Sequence, residues 1–327
     1  MYKSKLSVLE TQSVIRSLRH KFEENLCDAL NLSRVSAPLF VRSDSGLNDN
    51  LNGVERPVSF DILETGETVE VVHSLAKWKR MALGKYGFKL HTGLYTDMNA
   101  IRRDEITDNL HSLYVDQWDW EKVISREDRN EEYLKDTVRR IYAAVLSTAD
   151  YIERKFEFLD NYLPRKIAFV TTYELEEKYP DLTPKERENA IVKEKGAVFL
   201  MKIGGRLKDG SKHDGRAPDY DDWELNGDII VYNRVTDAAF EISSMGIRVD
   251  EKSLLSQLKA ENAEDRLSLP FHKALVEGKL PLTIGGGIGQ SRLCMLLLQK
   301  AHIGEVHASV WPEEEIKRCK EQGIELL

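Results

Sequence analysis

The chain has 327 residues, of which 41% are hydrophobic, so it can bury one large core or two smaller ones. Its 47 basic and 55 acidic side chains give a formal net charge of −8, which argues against nonspecific binding to a nucleic-acid backbone. No apolar stretch approaches the roughly 20 residues of a membrane span, and no signal-peptide pattern opens the chain. The three cysteines lack metal-ligand spacing, and Cys294 lies in an apolar run typical of a core. We therefore expect a soluble cytoplasmic protein.

The first half of the chain is predicted to alternate helices and strands. Apolar residues at helical spacing indicate a helix over 4–29, and a strand with an edge-type proline is predicted at 33–41. A strand at 69–72 leads into a basic helix. His73, at this junction, lacks the partners of a catalytic triad, and we expect it to make a local hydrogen bond. An antiparallel hairpin follows, and then a helix over 132–156.

Strands dominate the second half of the predicted fold. They are expected at 167–171, 197–202, 228–233 and 239–249. The polar loop 208–227 is longer than most connections and suggests a binding loop, with its aspartates at 219, 221 and 222 forming a solvated tip. A helix is expected near 251–260. Because no repeat or linker marks a boundary, we expect one α+β domain over 1–327, with a mainly antiparallel sheet flanked by helices.

A glycine-rich stretch, TIGGGIGQSRL, precedes an apolar helix near the end of the chain. It matches neither the GxxxxGK[ST] pattern nor the GxGxxG pattern of nucleotide-binding loops. We interpret it as a strand-to-helix turn in which glycine permits close backbone approach and the helix N-terminus favours anions. Arg292 would lie in the first helical turn. It could bind such an anion or pair with a structural carboxylate, and its position alone leaves both readings open.

Polar residues alternate with aromatic ones in the segment YVDQWDWE. With a period of two, Gln117, Asp119 and Glu121 share one strand face, and the two tryptophans share the other, which we expect to face the core. Burying polar and acidic groups in mid-sheet is unfavourable unless they line a polar site, although an exposed sheet face is the alternative. The preceding strand ends in AIRRDE, whose first arginine is Arg102.

Further carboxylates lie on two later strands. AFEISSMGIRV carries Glu241, Ser244 and Arg248, and GDIIVYN contains Asp228 near its start, where an acid is often only a turn residue. Mg²⁺ prefers oxygen ligands and bridges phosphates. Carboxylates on adjacent strands beside a phosphate-binding arginine would therefore suit it, which makes Asp228 and Glu241 the candidate ligands.

Taken together, these segments resemble the catalytic domain of class II aminoacyl-tRNA synthetases, in the aspartyl/asparaginyl branch. IRRDE resembles the second motif of that group, QWDWE the strand after it, EISSMGIR its metal- and substrate-binding segment, and GGGIGQSR its third motif. The first motif, a helix and strand at the dimer interface, matches residues 4–41 only loosely.

Over nearly its full length, the chain resembles more closely the ammonia-dependent asparagine synthetases, or aspartate–ammonia ligases. The strings that carry this resemblance are DNLNG, VVHSLAKWKR, YVDQWDWE, RAPDYDDW, ISSMGIRVD and TIGGGIGQSRL. No anticodon-binding domain is recognised in the sequence, and the acidic net charge is unusual for a tRNA enzyme.

The resemblance implies synthesis of L-asparagine from L-aspartate, ATP and ammonia through a β-aspartyl-adenylate, with release of AMP and pyrophosphate. It also implies a homodimer that uses Mg²⁺ and has no nucleic-acid or membrane partner. By resemblance, the site residues are Arg102 for the α-phosphate, Arg292 for the γ-phosphate, Glu241 and Ser244 for ATP, Asp228 and Glu241 for Mg²⁺, Asp49, Ser74, Gln117, Asp119 and Asp221 around the aspartate amino group, and Lys79 and Arg248 for the carboxylates.

Free ammonia is the expected nitrogen source, because no cysteine stands in an amidotransferase motif. The sequence does not identify the group that deprotonates ammonium, and Asp49 is one candidate.

Two other functions compete with the ligase: a synthetase paralogue that acts on tRNA or protein, and a regulatory protein that binds an amino acid. The second would be expected to have lost the ATP-binding arginines, yet Arg102 and Arg292 are both present.

Overall fold

The computed structural model describes residues 2–49 and 55–327. Of the string DNLNG, residues 50–53 lie outside these ranges. The helices are α1 (Val8–Leu30), α2 (Ala76–Tyr86), α3 (Glu131–Lys155), α4 (Thr172–Lys178), α5 (Pro184–Lys195), α6 (Glu251–Ala260), α7 (Pro270–Val276), α8 (Gln290–Leu297) and α9 (Glu313–Glu321). The strands are β1 (Leu32–Arg34), β2 (Phe40–Arg42), β3 (Ser59–Asp61), β4 (Thr68–Val71), β5 (Gly93–Ile101), β6 (Tyr114–Val123), β7 (Ala168–Thr171), β8 (Ala197–Met201), β9 (Asp221–Asn233), β10 (Ala238–Arg248) and β11 (Thr283–Gly289).

An eight-stranded sheet organises the described residues, in the order β1-β5-β6-β11-β10-β9-β8-β7, and β2-β4-β3 form a second, small sheet. The neighbours from β5 to β8 are antiparallel, which confirms the predicted mainly antiparallel α+β fold. The two outermost pairs, β1 with β5 and β7 with β8, are parallel, so the sheet is mixed. Parallel neighbours require a crossover. Helix α2 lies between β1 and β5 in the chain, and helices α4 and α5 lie between β7 and β8.

One face of the large sheet is covered by α1 and α3, which carry the main core. A capping box between Ser7 and Glu10 starts α1 as predicted for a helix in this region. Its apolar stripe includes Phe22, whose ring centroid lies 4.6 Å from that of Trp118 on β6. The indole Nε1 of Trp118 donates to Glu23 at 2.9 Å, so this buried ring satisfies its one polar atom.

Two local predictions need correction. The segment 33–41 is not one strand: β1 and β2 belong to different sheets, and Pro38, which has no N–H for a strand ladder, lies between them. Helices α4 and α5 were not predicted, because their sequences are highly charged and lack a clear apolar period. Their sequence signals are the capping boxes that begin at Thr171 and Thr183.

The polar loop 208–227 is also shorter than predicted, because β9 begins at Asp221. The strand is long, and its first residues pair with the end of β10 at Arg248. Pairing continues past irregularities in register near Glu241 and Gly246 of β10. Residues 221–227, which were predicted to lie in a polar loop, are therefore part of the central sheet.

Candidate active site

A cavity of about 470 Å³ opens over the sheet face opposite to α1 and α3. All twelve residues that the sequence assigned to the site line this cavity, although they come from segments spread along the chain. They are Asp49, Ser74, Lys79, Arg102, Gln117, Asp119, Asp221, Asp228, Glu241, Ser244, Arg248 and Arg292. The structure thus brings the predicted residues together, whatever the role of each.

The cavity floor is made by β6 in the predicted alternation. Trp118 and Trp120 are buried in the main core, and Gln117 and Asp119 line the cavity. Lys79 enters from α2 and places its Nζ 3.1 Å from Asp119 Oδ2. The same Nζ donates at 3.1 Å to the backbone carbonyl of Trp120. Burial lowers the pKa of Lys79. The nearby Asp119 carboxylate opposes this shift, because it stabilises the charged ammonium group.

Arg248, at the end of β10, is held between two buried carboxylates. Its Nη2 donates to Glu121 Oε2 at 2.7 Å, and its Nη1 donates to Asp221. Burial alone would raise the pKa of Glu121, but Arg248 lowers it below its usual value. The guanidinium also lies over the ring of Tyr220, 5.7 Å from its centroid. The guanidinium is thereby fixed in one orientation against the cavity.

The glycine-rich stretch is a central strand, not the predicted turn. Gly285 and Gly287 lie in β11, between β6 and β10. A Cβ at Gly285 would lie 1.9 Å from Glu121 Oε2, and one at Gly287 would lie 2.3 Å from Gln117 Oε1. Glycine is required here because side chains from the neighbouring strands occupy the space above β11.

Two arginines at another part of the cavity keep hydrogen-bonding capacity. Arg102 Nη1 lies 3.8 Å from Glu105 Oε2, and its buried Nε has no hydrogen-bond partner among the described residues. Arg292, in the first turn of α8 as predicted, donates through Nη1 to the backbone carbonyl of Glu241 at 2.9 Å, with the carboxylate at 3.8 Å. Both side chains are partly exposed, so anions can reach them.

The two predicted metal ligands line the same cavity as these arginines. Asp228 on β9 is paired in register with Ser244 on β10, and Glu241 lies on β10 beyond a register irregularity. Burial raises the pKa of Asp228 to about 7, against the opposing effect of Arg216, whose Nη2 donates to Asp228 at 2.7 Å. The Glu241 carboxylate contributes to the rise, so the two acids lie close enough to repel each other.

Comparison with known proteins identifies this arrangement. A family model described as aspartate-ammonia ligase matches residues 9–323. The chain belongs to this family. It is 64% identical over 327 residues to an aspartate–ammonia ligase of Clostridium tetani, covering all of this chain and 96% of that protein. An aspartate–ammonia ligase of Fusobacterium nucleatum is 61% identical over 326 residues, covering all of this chain and 99% of the relative.

Solved structures show the same fold at much lower identity. The asparaginyl-tRNA synthetase of Pyrococcus horikoshii, solved in complex with asparaginyl-adenylate, gives a TM-score of 0.66 at 13% identity, over 92% of this chain and 70% of that one. The aspartyl-tRNA synthetase of Entamoeba histolytica gives 0.60 at 15% identity, over 94% and 62%. The expected class II synthetase fold is thus confirmed for this aspartate–ammonia ligase family member.

Several cavity residues of this family member were missed by sequence reasoning. Arg216 is buried between Asp228 and Ser244 and donates to both. Tyr220 lines the cavity beside Arg248, and burial raises its pKa well above normal. Both lie in RAPDYDDW, one of the strings that carry the family resemblance. Their local spacing, however, does not indicate which residues they contact.

The predicted solvated tip is also wrong, because Asp219, Asp221 and Asp222 are all buried. Asp219 Oδ2 accepts from Lys77 at 3.0 Å and from the His272 ring at 2.9 Å, with Arg266 at 3.1 Å. Burial would raise the pKa of Asp219, but Lys77, Arg266 and the hydrogen bond from His272 lower it far below the usual value. Asp219 therefore fixes the backbone that carries Tyr220 and Asp221 into the cavity. Its cationic partners lie far away in sequence, so the acidic run could not indicate them.

A second buried carboxylate, Asp116, fixes the start of α8. Its Oδ1 accepts from the backbone N–H of Ser291 at 3.0 Å, and its Oδ2 accepts from Arg19 of α1 at 2.7 Å. Burial would raise the pKa of Asp116, but His307 and Arg19 lower it to about 2. Because Ser291 precedes Arg292, the contact orients the arginine.

No helix in the described part of the chain is long and apolar enough to cross a membrane. Among residues 2–49 and 55–327, a single group of three metal-ligand side chains lies close together, His302, Glu315 and Cys319, and none of them lines the cavity. His302 Nδ1 accepts from the backbone N–H of Gly304, so its Nε2 donates to Glu315 Oε1 at 2.9 Å, and the histidine and the carboxylate satisfy one another.

We expect Asp116→Asn to lower the free energy of unfolding by about 2 kcal/mol at pH 7, because each unit of pKa shift corresponds to about 1.4 kcal/mol. The folded-state pKa is depressed, so this stabilisation is full above pH 4 and is lost as the pH falls towards 2. Urea unfolding at pH 7, 5 and 3 measures it. The exposed Asp136→Asn, which breaks an ion pair with Arg140, should change stability by less than about 1 kcal/mol. A difference that stays constant with pH would contradict this account of Asp116.

Proposed function

We propose that this protein makes L-asparagine from L-aspartate, ATP and ammonia, through a β-aspartyl-adenylate, and releases AMP and pyrophosphate. The observation that carries this proposal is full-length membership of the aspartate–ammonia ligase family. The cavity supports it, because cations with free donors and buried acids lie at different parts of one site. A carboxylate is a poor electrophile, so it must first be joined to a good leaving group, which AMP provides.

ATP is assigned to the cavity region of Arg102 and Arg292. In this proposal Arg102 binds the α-phosphate and Arg292 binds the γ-phosphate. Bringing the aspartate carboxylate to a phosphate joins two anions, and fixed donors beside the transferring group stabilise the added charge. The buried Nε of Arg102, which has no hydrogen-bond partner among the described residues, supports this assignment. Glu241 and Ser244 complete the proposed ATP site from β10.

Mg²⁺ would be held by Asp228 and Glu241. Their oxygens fit this ion, because Mg²⁺ is usually bound by one or two carboxylates together with substrate phosphates. The raised pKa of Asp228 also fits, since a bound cation would favour the ionised form of this acid. When bound, the ion would neutralise negative charge on the phosphates. The positive charge of Arg216, which donates to Asp228, also balances the negative charge of this carboxylate.

Aspartate is assigned to the buried floor. Its amino group would be surrounded by acceptors, namely Asp49, Ser74, Gln117, Asp119 and Asp221, and its carboxylates would meet Lys79 and Arg248. A guanidinium has five N–H donors. Arg248 uses one donor on each of its three nitrogens for Glu121 and Asp221, which leaves two for a substrate carboxylate.

Ammonia itself is the proposed nitrogen source. Burial raises the pKa of the Cys294 thiol to about 11, so this group stays protonated and is a poor nucleophile for glutamine. Burial likewise raises the pKa of Cys319 to about 11. We also propose that residues 1–327 form a single catalytic domain, that the enzyme works in the cytoplasm, and that it needs no nucleic acid.

The decisive test is product analysis with purified protein, L-aspartate, ATP, Mg²⁺ and ammonium chloride, leaving out each component in turn. We expect equal amounts of asparagine and AMP, both lost when ammonium is omitted or Mg²⁺ is chelated, and neither changed by added tRNA. Asparagine accompanied by ADP would instead indicate an acyl-phosphate. Aminoacylated tRNA, or amino-acid binding without turnover, would favour one of the two competing functions.

Arg102→Ala should lower aspartate-dependent exchange of pyrophosphate into ATP by about 10²- to 10³-fold, because it removes a fixed donor from the reacting phosphate. The neighbouring Arg103→Ala is a matched control. Arg103 is more exposed, lies outside the cavity lining and has its Nε 3.7 Å from Asp104 Oδ1, so we expect a change of less than about threefold. Equal losses in both variants would refute the specific role of Arg102.

We further propose a homodimer whose interface includes the small sheet at the end of the loosely matched first motif. Phe40 and Phe60 are exposed there and contact each other edge to face, with ring centroids 5.1 Å apart. Light scattering should give about twice the 37.5 kDa chain mass. Phe40→Glu with Phe60→Glu should shift it to the monomer, whereas the exposed Val310→Glu should not. A monomeric wild-type protein would exclude the dimer.

A further inference from the structure

His73 lies in the connection between β4 and α2 and is one of the residues that line the cavity, as are Asp49 and Ser74. The residue is only 1% exposed. Its Nδ1 lies 3.0 Å from the backbone carbonyl oxygen of Asp49. Its Nε2 is buried and has no hydrogen-bond partner among the described residues. Such a nitrogen in a cavity-lining residue needs an explanation, because an unmade hydrogen bond at a buried polar atom is unfavourable.

The Asp49 contact decides which ring nitrogen carries the proton. A backbone carbonyl can only accept, so Nδ1 must donate and therefore bears the hydrogen. In the neutral ring, Nε2 is then left with a lone pair and can only accept. In this tautomer Nε2 is therefore the acceptor of a residue that lines the cavity.

The contact is held in place by Asn48. Its side-chain Oδ1 accepts from the backbone N–H of Asp49 and from that of His73, both at 2.9 Å. Its Nδ2 donates to Glu70 at 3.0 Å. One amide therefore ties together the two backbone segments that meet at the His73 ring, and the direction of Nε2 is fixed before a ligand binds.

A lone-pair acceptor restricts the ligand that it can bind. Phosphates and ionised carboxylates offer only acceptors, so neither ATP's phosphates nor the carboxylates of aspartate can satisfy Nε2. The partner must therefore carry an N–H or O–H donor. ATP, with its hydroxyl and amino donors, is assigned to the region of Arg102 and Arg292, and the aspartate amino group is assigned to the acids of the floor. Of the proposed substrates, this leaves the nitrogen nucleophile.

We propose that His73 Nε2 binds the incoming ammonium ion and takes a proton from it. Nε2 gains this proton, and the nitrogen lone pair so released forms the C–N bond to the acyl carbon of the adenylate. The bond from that carbon to the phosphate oxygen breaks, AMP leaves with the electron pair, and the surplus proton on nitrogen passes to water. This inference rests on the proposed function and assigns to His73 the step for which Asp49 was the earlier candidate.

The test compares His73→Asn with the wild type and with His91→Asn, a replacement at a half-exposed histidine outside the cavity lining. Asparagine keeps a donor near the Nδ1 position for the Asp49 carbonyl but has no basic nitrogen. Three rates are measured for each protein: aspartate-dependent pyrophosphate exchange, amide formation from ammonium, and hydroxamate formation from hydroxylamine. Hydroxylamine is uncharged at neutral pH, so it needs no base to release its lone pair.

For His73→Asn we expect pyrophosphate exchange and its KM for aspartate to change less than about threefold, and kcat/KM for ammonium to fall about 100-fold, the usual size of a general-base effect. The hydroxylamine rate should fall less than about fivefold, and His91→Asn should match the wild type. Equal losses with both nucleophiles, a raised KM for aspartate, or an unchanged ammonium rate would each overturn the role of His73. Absence of exchange in the wild type would refute the proposed function instead.

His73→Gln is a second variant in case His73→Asn does not fold, which loss of the wild-type circular dichroism spectrum would reveal. Glutamine places an amide near the Nε2 position and can bind ammonium there, but it cannot take up a proton. We therefore expect its kcat for ammonium to fall more than its KM rises. An unchanged kcat would count against proton transfer to His73.

Discussion

Mutual neutralisation of buried charges on the cavity floor is the constraint on which the rest of the site depends. Two cations, Lys79 and Arg248, meet three carboxylates, Asp119, Glu121 and Asp221, and each of the five residues is at most 3% exposed. Removing one partner from such a set typically costs 3–5 kcal/mol, because the others are left buried and uncompensated. The composition of β11 follows from this, since a Cβ on its glycines would occupy the space of the carboxylates and their neighbours.

Sequence reasoning succeeded where the pattern is local. The period-two alternation of β6 placed the tryptophans in the core and Gln117 and Asp119 on the cavity, because a strand directs successive side chains to opposite faces. It failed where distant partners decide the outcome. Glycines suit a turn as well as a strand beneath large side chains, and only the neighbours on β6 and β10 distinguish the two. Asp219 likewise reads as solvated until Lys77 and His272 are folded against it.

The two parts of the cavity differ in how completely their charges are compensated. On the floor, Arg248 donates to two carboxylates at once, so a substrate there must use the donors that remain. Arg102 instead retains a buried donor without a partner among the described residues, and Arg292 mainly donates to a backbone carbonyl. An anion is therefore stabilised more by the region of these two arginines than by the floor. This difference supports the proposed placement of the ATP phosphates at the two arginines and of aspartate at the floor.

The way in which a histidine is anchored decides what chemistry it can perform. A carboxylate partner stabilises the charged imidazolium and so favours a ring that donates from both nitrogens. The backbone carbonyl of Asp49 is uncharged, and it orients the His73 ring by accepting from Nδ1. Asn48 holds both backbone segments in place through its side-chain amide, which also donates to Glu70. The orientation on which the proposed role of Nε2 depends is therefore set by a carbonyl and an amide before a ligand binds.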